Sequence, residues 1–148
     1  MIEIDGIPQV LWPVHCVQNT SGAQLVATLE EARIRKIFYK GTDPSMDSYS
    51  TFYDNGHRHS TGLADYLRRN NVDHVYLLGL ATDYCVKFSA LDARELGFRT
   101  TVVEDGCRGV ELNSGDVDRA MIEMLETGVK LASSDAVIVD ESAAADRS

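Results

Sequence analysis

Short strand-like runs alternate with helical segments along most of this chain, and the alternation restricts the folds it can adopt. The runs lie at residues 37–39, 75–78 and 100–103, and a fourth is predicted within 129–133. Each is β-branched or aromatic and is bounded by turn residues, which is typical of buried parallel strands. Strands and helices in alternation imply βαβ crossovers. The sequence therefore predicts an α/β fold with three layers, α/β/α, around a mostly parallel Rossmann-like sheet.

Helical spacing of apolar residues predicts the elements between these strands. The predicted helices cover about residues 23–33, 61–70, 82–96 and 114–127. Thr61, Thr82 and Ser114 are the predicted N-caps of the last three. The connection over residues 41–60 has no periodicity, and a loop of that length predicts a binding or covering element.

Length and charge narrow the class of protein. The 148 residues predict one domain over residues 1–140 with a flexible tail at 141–148. The chain has 14 Lys and Arg against 23 Asp and Glu, a net charge of −9, which disfavours nucleic acid and anionic lipid as partners. Its longest apolar run, at residues 75–81, is too short to span a membrane. Three cysteines without paired spacing predict a reducing, cytoplasmic location.

Cys85 is the strongest candidate for a reactive side chain. A predicted strand turns at Gly79 into a helix, and Cys85 follows Thr82 by three residues, in the first helical turn. Backbone N–H groups and the helix dipole there favour thiolate over thiol, and they can also hold an oxyanion. Parallel sheets place their sites at such strand ends. The alternative is a buried packing cysteine, and the residues alone leave both interpretations open.

Other candidate side chains carry weaker signals. Lys40 ends a predicted strand and would reach the same sheet edge, although most lysines are solvated. Trp12 offers an aromatic platform and His15 an imidazole that can ligate a metal, although a lone histidine is more often structural. We interpret His57 and His59 as solvated loop residues, His74 as an exposed residue and Cys107 as a structural one.

Five segments carry a family resemblance: residues 12–19 (WPVHCVQN), 40–41 (KG), 47–50 (DSYS), 79–85 (GLATDYC) and 105–109 (DGCRG). In this order they resemble the nicotinamidase/pyrazinamidase enzymes of the isochorismatase-like cysteine hydrolases, over about residues 7–139. That family hydrolyses nicotinamide, and also pyrazinamide, to the acid and ammonia through an Asp–Lys–Cys triad and a cysteine thioester. The resemblance thus implies a small-molecule amide as the substrate.

The resemblance also implies roles for individual residues. Cys85 would be the nucleophile and Lys40 the triad lysine. The N–H groups of Ala81 and Cys85 would form the oxyanion hole, beside a cis bond that joins Leu80 to Ala81. The remaining implied roles are a pyridine pocket with Trp12 and Tyr49, and a divalent metal (zinc, iron or manganese) with His15 as one ligand.

The family pattern also contains a region upstream of the matched motifs. That region supplies two strands, the catalytic aspartate and three of the four metal ligands. We therefore expect this chain to lack both strands, to bind the metal weakly or not at all, and to have impaired activity. An incomplete reading of a longer gene is the favoured explanation. The alternatives are a noncatalytic remnant that binds ligand or self-associates into a homo-oligomer, and a related cysteine hydrolase with another amide substrate.

Overall fold

The computed structural model describes residues 2–4 and 6–138 of the chain. These residues belong to two compact units, Met1–Phe38 and Tyr39–Ser148, and each unit is described by itself. The expected single domain over residues 1–140 stays a prediction, and the expected tail at residues 141–148 lies outside the described residues.

The first unit contains little regular structure. Strands β1 (Ile2–Ile4) and β2 (Ile7–Gln9) pair antiparallel, and single 3₁₀ turns lie at Ser21–Ala23 and Glu31–Arg33. The predicted helix over residues 23–33 is therefore wrong. Every residue from 21 to 33 is exposed, and an isolated α-helix of this length is marginal without an apolar face to pack.

The second unit is built on a parallel sheet. Strands β3 (His74–Leu80), β4 (Arg99–Arg108) and β5 (Lys130–Ala132) lie in the order β3-β4-β5. Three of the four predicted strands are thus confirmed. The predicted strand at residues 37–39 is wrong, because no strand among the described residues pairs with this segment.

Three predicted helices are confirmed in this unit. They are α1 (Leu63–Arg69), α2 (Lys87–Glu95) and α3 (Asp116–Glu126), and residues 134–138 are also helical. The N-caps differ from the prediction: Gly62 and Gly115 cap α1 and α3 in left-handed conformations. The Thr61 hydroxyl, one residue earlier, accepts a hydrogen bond from the N–H of Leu63 and donates one to the carbonyl of Thr51.

Two apolar clusters connect the helices to the sheet. The first joins α2 and α3 to the strands, with Val102 and Met124 fully buried at its centre. The second joins α1, α2 and the 41–60 segment to the strands, and it contains the stacked rings of Phe52 and Phe98. This arrangement confirms the predicted α/β class with a parallel sheet. None of the described helices is both long and apolar enough to cross a lipid bilayer.

Candidate active site

The turn between β3 and α2 positions Cys85. The peptide bond between Leu80 and Ala81 is cis, as the resemblance implies. The Ala81 carbonyl accepts hydrogen bonds from the N–H groups of Tyr84 and Val86, at 3.1 and 3.0 Å. The segment Thr82–Val86 forms a π-helical turn that leads directly into α2. Such turns change the direction in which side chains point, and Cys85 lies within this one, half-buried.

The residue at the start of this turn differs from the prediction. Thr82 lies inside the π-helical turn, nearly fully buried, and Ala81 occupies the cap position without a side-chain hydrogen bond. The predicted Thr82 cap is therefore wrong, although Cys85 does lie in the first turn of the helical segment.

Lys40 and Cys85 meet in the structure. The Lys40 Nζ atom lies 3.5 Å from the Cys85 Sγ atom and donates a second hydrogen bond, of 2.6 Å, to the carbonyl of Ser48. The ammonium group therefore contacts the sulfur and is held by the neighbouring loop. A positive charge at this distance stabilises a thiolate relative to a thiol. The pair has the composition of a nucleophilic centre, a sulfur with a cation beside it.

The 41–60 segment, which we call the site loop, holds the Lys40 ammonium group through the carbonyl of Ser48. Alternate residues of the loop are buried: Met46, Ser48, Ser50, Phe52 and Asp54. Polar contacts fix this arrangement, because the Ser48 hydroxyl binds the carbonyls of Ser50 and Tyr53, and the Thr51 N–H donates to the hydroxyl of Ser89 on α2. The long aperiodic loop is thus an ordered, partly buried element that contributes the Ser48 carbonyl to the site.

An aromatic group lies beside the cysteine turn. The ring of Tyr49 from the site loop meets Tyr84 edge to face, with centroids 5.3 Å apart, and lies 5.4 Å from Phe88. Burial raises the pKa of Tyr84, which keeps its phenol neutral. Tyr49, predicted as a substrate contact, is thus placed next to the residue that precedes Cys85.

Two predicted site residues, Trp12 and His15, belong to the first unit. The His15 side chain is exposed, and its Nδ1 atom donates a 2.6 Å hydrogen bond to the carbonyl of Pro13. Among the described residues, the group with three candidate metal ligands close together is His57, Asp92 and Glu95, and it does not include His15. The residues described here therefore do not assemble the metal site that the resemblance implies around His15.

Two buried aspartates, Asp83 and Asp54, organise the site, and neither was predicted from the sequence to do so. Asp83 accepts hydrogen bonds from the N–H groups of Val110 and Glu111, at 2.9 and 2.8 Å, and so ties the cysteine turn to the segment after β4. Asp54 accepts hydrogen bonds from three backbone N–H groups of the site loop, those of Gly56, Arg58 and His59. The sequence Asp-Asn-Gly at 54–56 is a turn signature that could have indicated this role.

Hydrogen bonding controls the charge on Asp54. Burial by itself would raise the pKa of this carboxyl, but the hydrogen bonds from the Arg58 N–H and from His59 outweigh it and lower the pKa. The His59 ring contributes through Nδ1, which lies 2.7 Å from an Asp54 oxygen. His57 and His59 are exposed, as expected for solvated loop histidines, and each ring also lies beside a buried carboxylate, that of Asp92 or Asp54.

Cys107 and His74, the other two candidates from the sequence, pack within the fold. Cys107 is buried, its thiol donates to the carbonyl of Val103, and burial raises its pKa. Its structural interpretation is confirmed. His74 is partly buried, bonded through Nε2 to the hydroxyl of Thr101, so the expected exposure is wrong. Burial also lowers the pKa of His74 and favours the neutral ring.

Comparison with known proteins finds nicotinamidases among the relatives of this chain. The chain is 50% identical over 129 residues to the nicotinamidase of Escherichia coli (strain K12), covering 87% of this chain and 61% of that protein. The solved structure of an Acinetobacter baumanii nicotinamidase and pyrazinamidase superposes with a TM-score of 0.88 at 42% identity, covering 92% of this chain and 65% of the other. A Pyrococcus horikoshii pyrazinamidase in complex with zinc superposes with a TM-score of 0.70 at 40% identity, covering 83% and 63%.

The chain therefore spans less than two thirds of the length of each of these relatives. Within the chain, by contrast, the likeness is nearly continuous. The family model described as the isochorismatase domain matches residues 7–136, which include both Cys85 and Lys40. From this match, and from the nicotinamidases that resemble it, the chain belongs to the isochorismatase domain family.

Proposed function

We propose that the centre formed by Cys85 and Lys40 hydrolyses nicotinamide to nicotinic acid and ammonia, and accepts pyrazinamide as well. The observation that carries this proposal is the 3.5 Å distance between the lysine nitrogen and the cysteine sulfur, on an element that begins at the end of a parallel strand. The names of the relatives supply the substrate class, a small aromatic amide.

The proposed reaction begins with attack by the Cys85 thiolate on the amide carbonyl carbon. A carbon–sulfur bond forms, the carbonyl π electrons move to oxygen, and the backbone N–H groups of Ala81 and Cys85 hold the oxyanion. When the intermediate collapses, the nitrogen takes a proton from solvent water, the carbon–nitrogen bond breaks and ammonia leaves. Water then hydrolyses the thioester and releases the acid and the thiol.

The substrate ring would lie against aromatic side chains in this proposal. Tyr49 already packs against Tyr84 next to the cysteine, which supports a place for it beside a bound pyridine. Trp12 is the second proposed ring contact, by its match to the family motif. The family metal would be zinc, iron or manganese with His15 as one ligand, and we propose that the 148-residue chain binds it weakly.

Protonation of the leaving nitrogen limits the proposed activity. Among the described residues, no carboxylate forms a hydrogen bond with the Cys85 sulfur, and each oxygen of the adjacent Asp83 accepts a hydrogen bond from the backbone of residue 110 or 111. The nitrogen of the tetrahedral intermediate cannot leave without a proton, because it would have to depart as the strongly basic NH₂⁻ anion. The thiolate is expelled instead, and the amide is re-formed. Loss of one member of a catalytic triad commonly costs about 10³–10⁶-fold in turnover. We therefore propose that this chain hydrolyses amides slowly.

We also propose a cytoplasmic location, because all three cysteines, Cys16, Cys85 and Cys107, are unpaired.

The test compares two substrates that differ in the need for a proton. Nicotinic acid release is measured from nicotinamide and from p-nitrophenyl nicotinate, whose leaving group departs as an anion. The expected result is rapid release from the ester and slow release from the amide, with both reactions abolished by Cys85→Ala. Cys107→Ala is the matched control for loss of a thiol, and it should leave the ester reaction active.

Two results would contradict the proposal. Equal ester hydrolysis by the wild type and by Cys85→Ala would remove the assigned nucleophile and favour a noncatalytic chain that only binds ligand. Fast release of ammonia from nicotinamide by the 148-residue chain would instead refute the proposed slow amide turnover while keeping the nucleophile.

A further inference from the structure

A second cluster of chemically active side chains lies where the site loop meets α2. It consists of His57, Asp92 and Glu95, and one ligand atom from each lies within 4.8 Å of the others. Asp92 and Glu95 are three residues apart on α2, so their carboxylates share one face of the helix. A nitrogen donor and two oxygen donors thus converge from two different elements of the chain.

The spacing within this cluster suits a small divalent cation better than a direct hydrogen bond. The His57 Nε2 atom lies 3.4 Å from Asp92 Oδ1. An ordinary N–H···O hydrogen bond is shorter, at about 2.7–3.2 Å. Two ligands on a tetrahedral ion with bonds of about 2.0–2.1 Å are separated by about 3.4 Å. The imidazole and the carboxylate are therefore already at the separation that a bound ion would require.

Asp92 gives an independent reason to expect a ligand. Its side chain is only 8% exposed, and its Oδ2 atom is buried without a hydrogen-bond partner among the described residues. Burial is the main factor that disfavours the charged Asp92 side chain, and the nearby Glu95 carboxylate adds like-charge repulsion. The Ser50 hydroxyl and His57 offset this cost only in part. A divalent cation would neutralise both carboxylates, and it would also satisfy Oδ2 if it were bound by both Asp92 oxygens.

The backbone holds the imidazole ready for such an ion. His57 has a left-handed conformation, with φ of 52°, and its N–H donates a 3.0 Å hydrogen bond to the carbonyl of Asp54. Its ring stacks on Tyr53 with centroids 4.9 Å apart. The side chain is nevertheless 51% exposed, which gives an ion a path from solvent. The ring is oriented before any ion binds, so little ordering is needed on binding.

We propose that His57, Asp92 and Glu95 form a binding site for a divalent transition-metal ion, of the zinc or cobalt class, that is separate from the Cys85 centre. An imidazole ligand favours these ions over magnesium or calcium. The ion joins the site loop to α2. Because the same loop supplies the Ser48 carbonyl to Lys40, the bound ion stabilises the loop that holds the lysine. Its role is structural, and it takes no part in bond breaking.

The test titrates the full 148-residue chain with Co²⁺ and follows the visible d–d absorption, then repeats the binding with Zn²⁺ in a thermal melt. His57→Gln and Glu95→Gln should each weaken Co²⁺ binding by roughly tenfold or more and reduce the Zn²⁺-dependent rise in Tm. His59→Gln is the matched control, since this neighbouring histidine contacts Asp54 and is not in the cluster. It should bind Co²⁺ like the wild type.

Two further measurements keep the result interpretable. Circular dichroism of each variant without metal reports whether it folds, and Asp92→Asn, which keeps the shape of the side chain, should fold and lose Co²⁺ binding. Cys85→Ala should bind Co²⁺ normally, and the spectrum should contain no thiolate-to-cobalt charge-transfer band. Equal binding by His57→Gln and His59→Gln, a charge-transfer band that vanishes in Cys85→Ala, or no binding by the wild type would each overturn the proposal.

Discussion

Replacing Lys40 by methionine tests how far this lysine activates the thiol of Cys85. The change keeps the length and much of the apolar stem of the side chain but removes the ammonium group that lies 3.5 Å from the sulfur. Because the contact between the two groups is exposed to solvent, an effective dielectric constant between about 40 and 80 applies, and the attraction at this distance amounts to about 1.2–2.4 kcal/mol. By the same Coulomb estimate, losing this attraction corresponds to a roughly 7- to 55-fold change in a rate that depends on it.

The assay is the second-order rate of alkylation of Cys85 by iodoacetamide at pH 7, measured by peptide mass spectrometry. The thiolate is the reactive form, so the rate should fall by about one order of magnitude or more in Lys40→Met.

Lys87→Met is the matched control for this measurement. Lys87 is only two residues from Cys85, but its ammonium group pairs with a Glu123 oxygen at 3.0 Å. Its removal should leave the alkylation rate of Cys85 close to that of the wild type. Equal rates for Lys40→Met and the wild type, or an equal loss in both variants, would refute the assigned role of Lys40.

Three further predictions concern stability. A Cβ atom at Gly109 would lie 2.1 Å from the Cγ2 atom of Val117, so Gly109→Ala should lower the free energy of unfolding by about 1–3 kcal/mol in a urea titration; an unchanged midpoint would contradict this. Met124 is fully buried, so Met124→Ala should cost about 2–5 kcal/mol, and a loss below that range would mean that the cluster collapses around the gap. Because the pKa of Asp54 is lowered on folding, its contribution is present above its unfolded pKa and is lost as pH falls through the folded value. Asp54→Asn should therefore show a shallower loss of Tm between neutral and acid pH, and parallel curves would contradict the assignment.

The sequence predicted the second unit well because its elements bury apolar faces at regular spacing. The strands around residues 75 and 100 and the helix over Asp116–Glu126 combine a clear hydrophobic period with turn residues at their ends. The edge of the sheet that carries Cys85 followed from strand direction alone. The contact with Lys40 was implied by the resemblance, and its 3.5 Å distance required the structure.

The site loop was unpredictable for a definite physical reason. Its buried positions alternate, but two of the five are serines and one is aspartate, so the alternation is invisible on a hydrophobicity scale. Hydrogen bonds to backbone groups compensate the cost of burying the polar side chains of Ser48 and Asp54, which apolar packing alone would not do. The same reasoning explains why the contacts of His57 and His59 with buried carboxylates were missed.

Failures in the first unit have a different origin. Residues 23–33 contain apolar side chains at helical spacing, but all are exposed, and the period alone does not form a helix without a surface to pack against. Likewise, the apolar run at residues 37–39 has strand propensity, but a strand requires a hydrogen-bonded neighbour.

Peptide mapping of the covalent intermediate tests the central claim most directly. The full chain is mixed with p-nitrophenyl nicotinate, quenched in acid within the first turnover, digested and analysed by mass spectrometry. The account predicts one nicotinoyl group attached to the sulfur of Cys85 and none on Cys16 or Cys107. A nicotinoyl group found only on another side chain, or ester hydrolysis without any acylated Cys85, would contradict it.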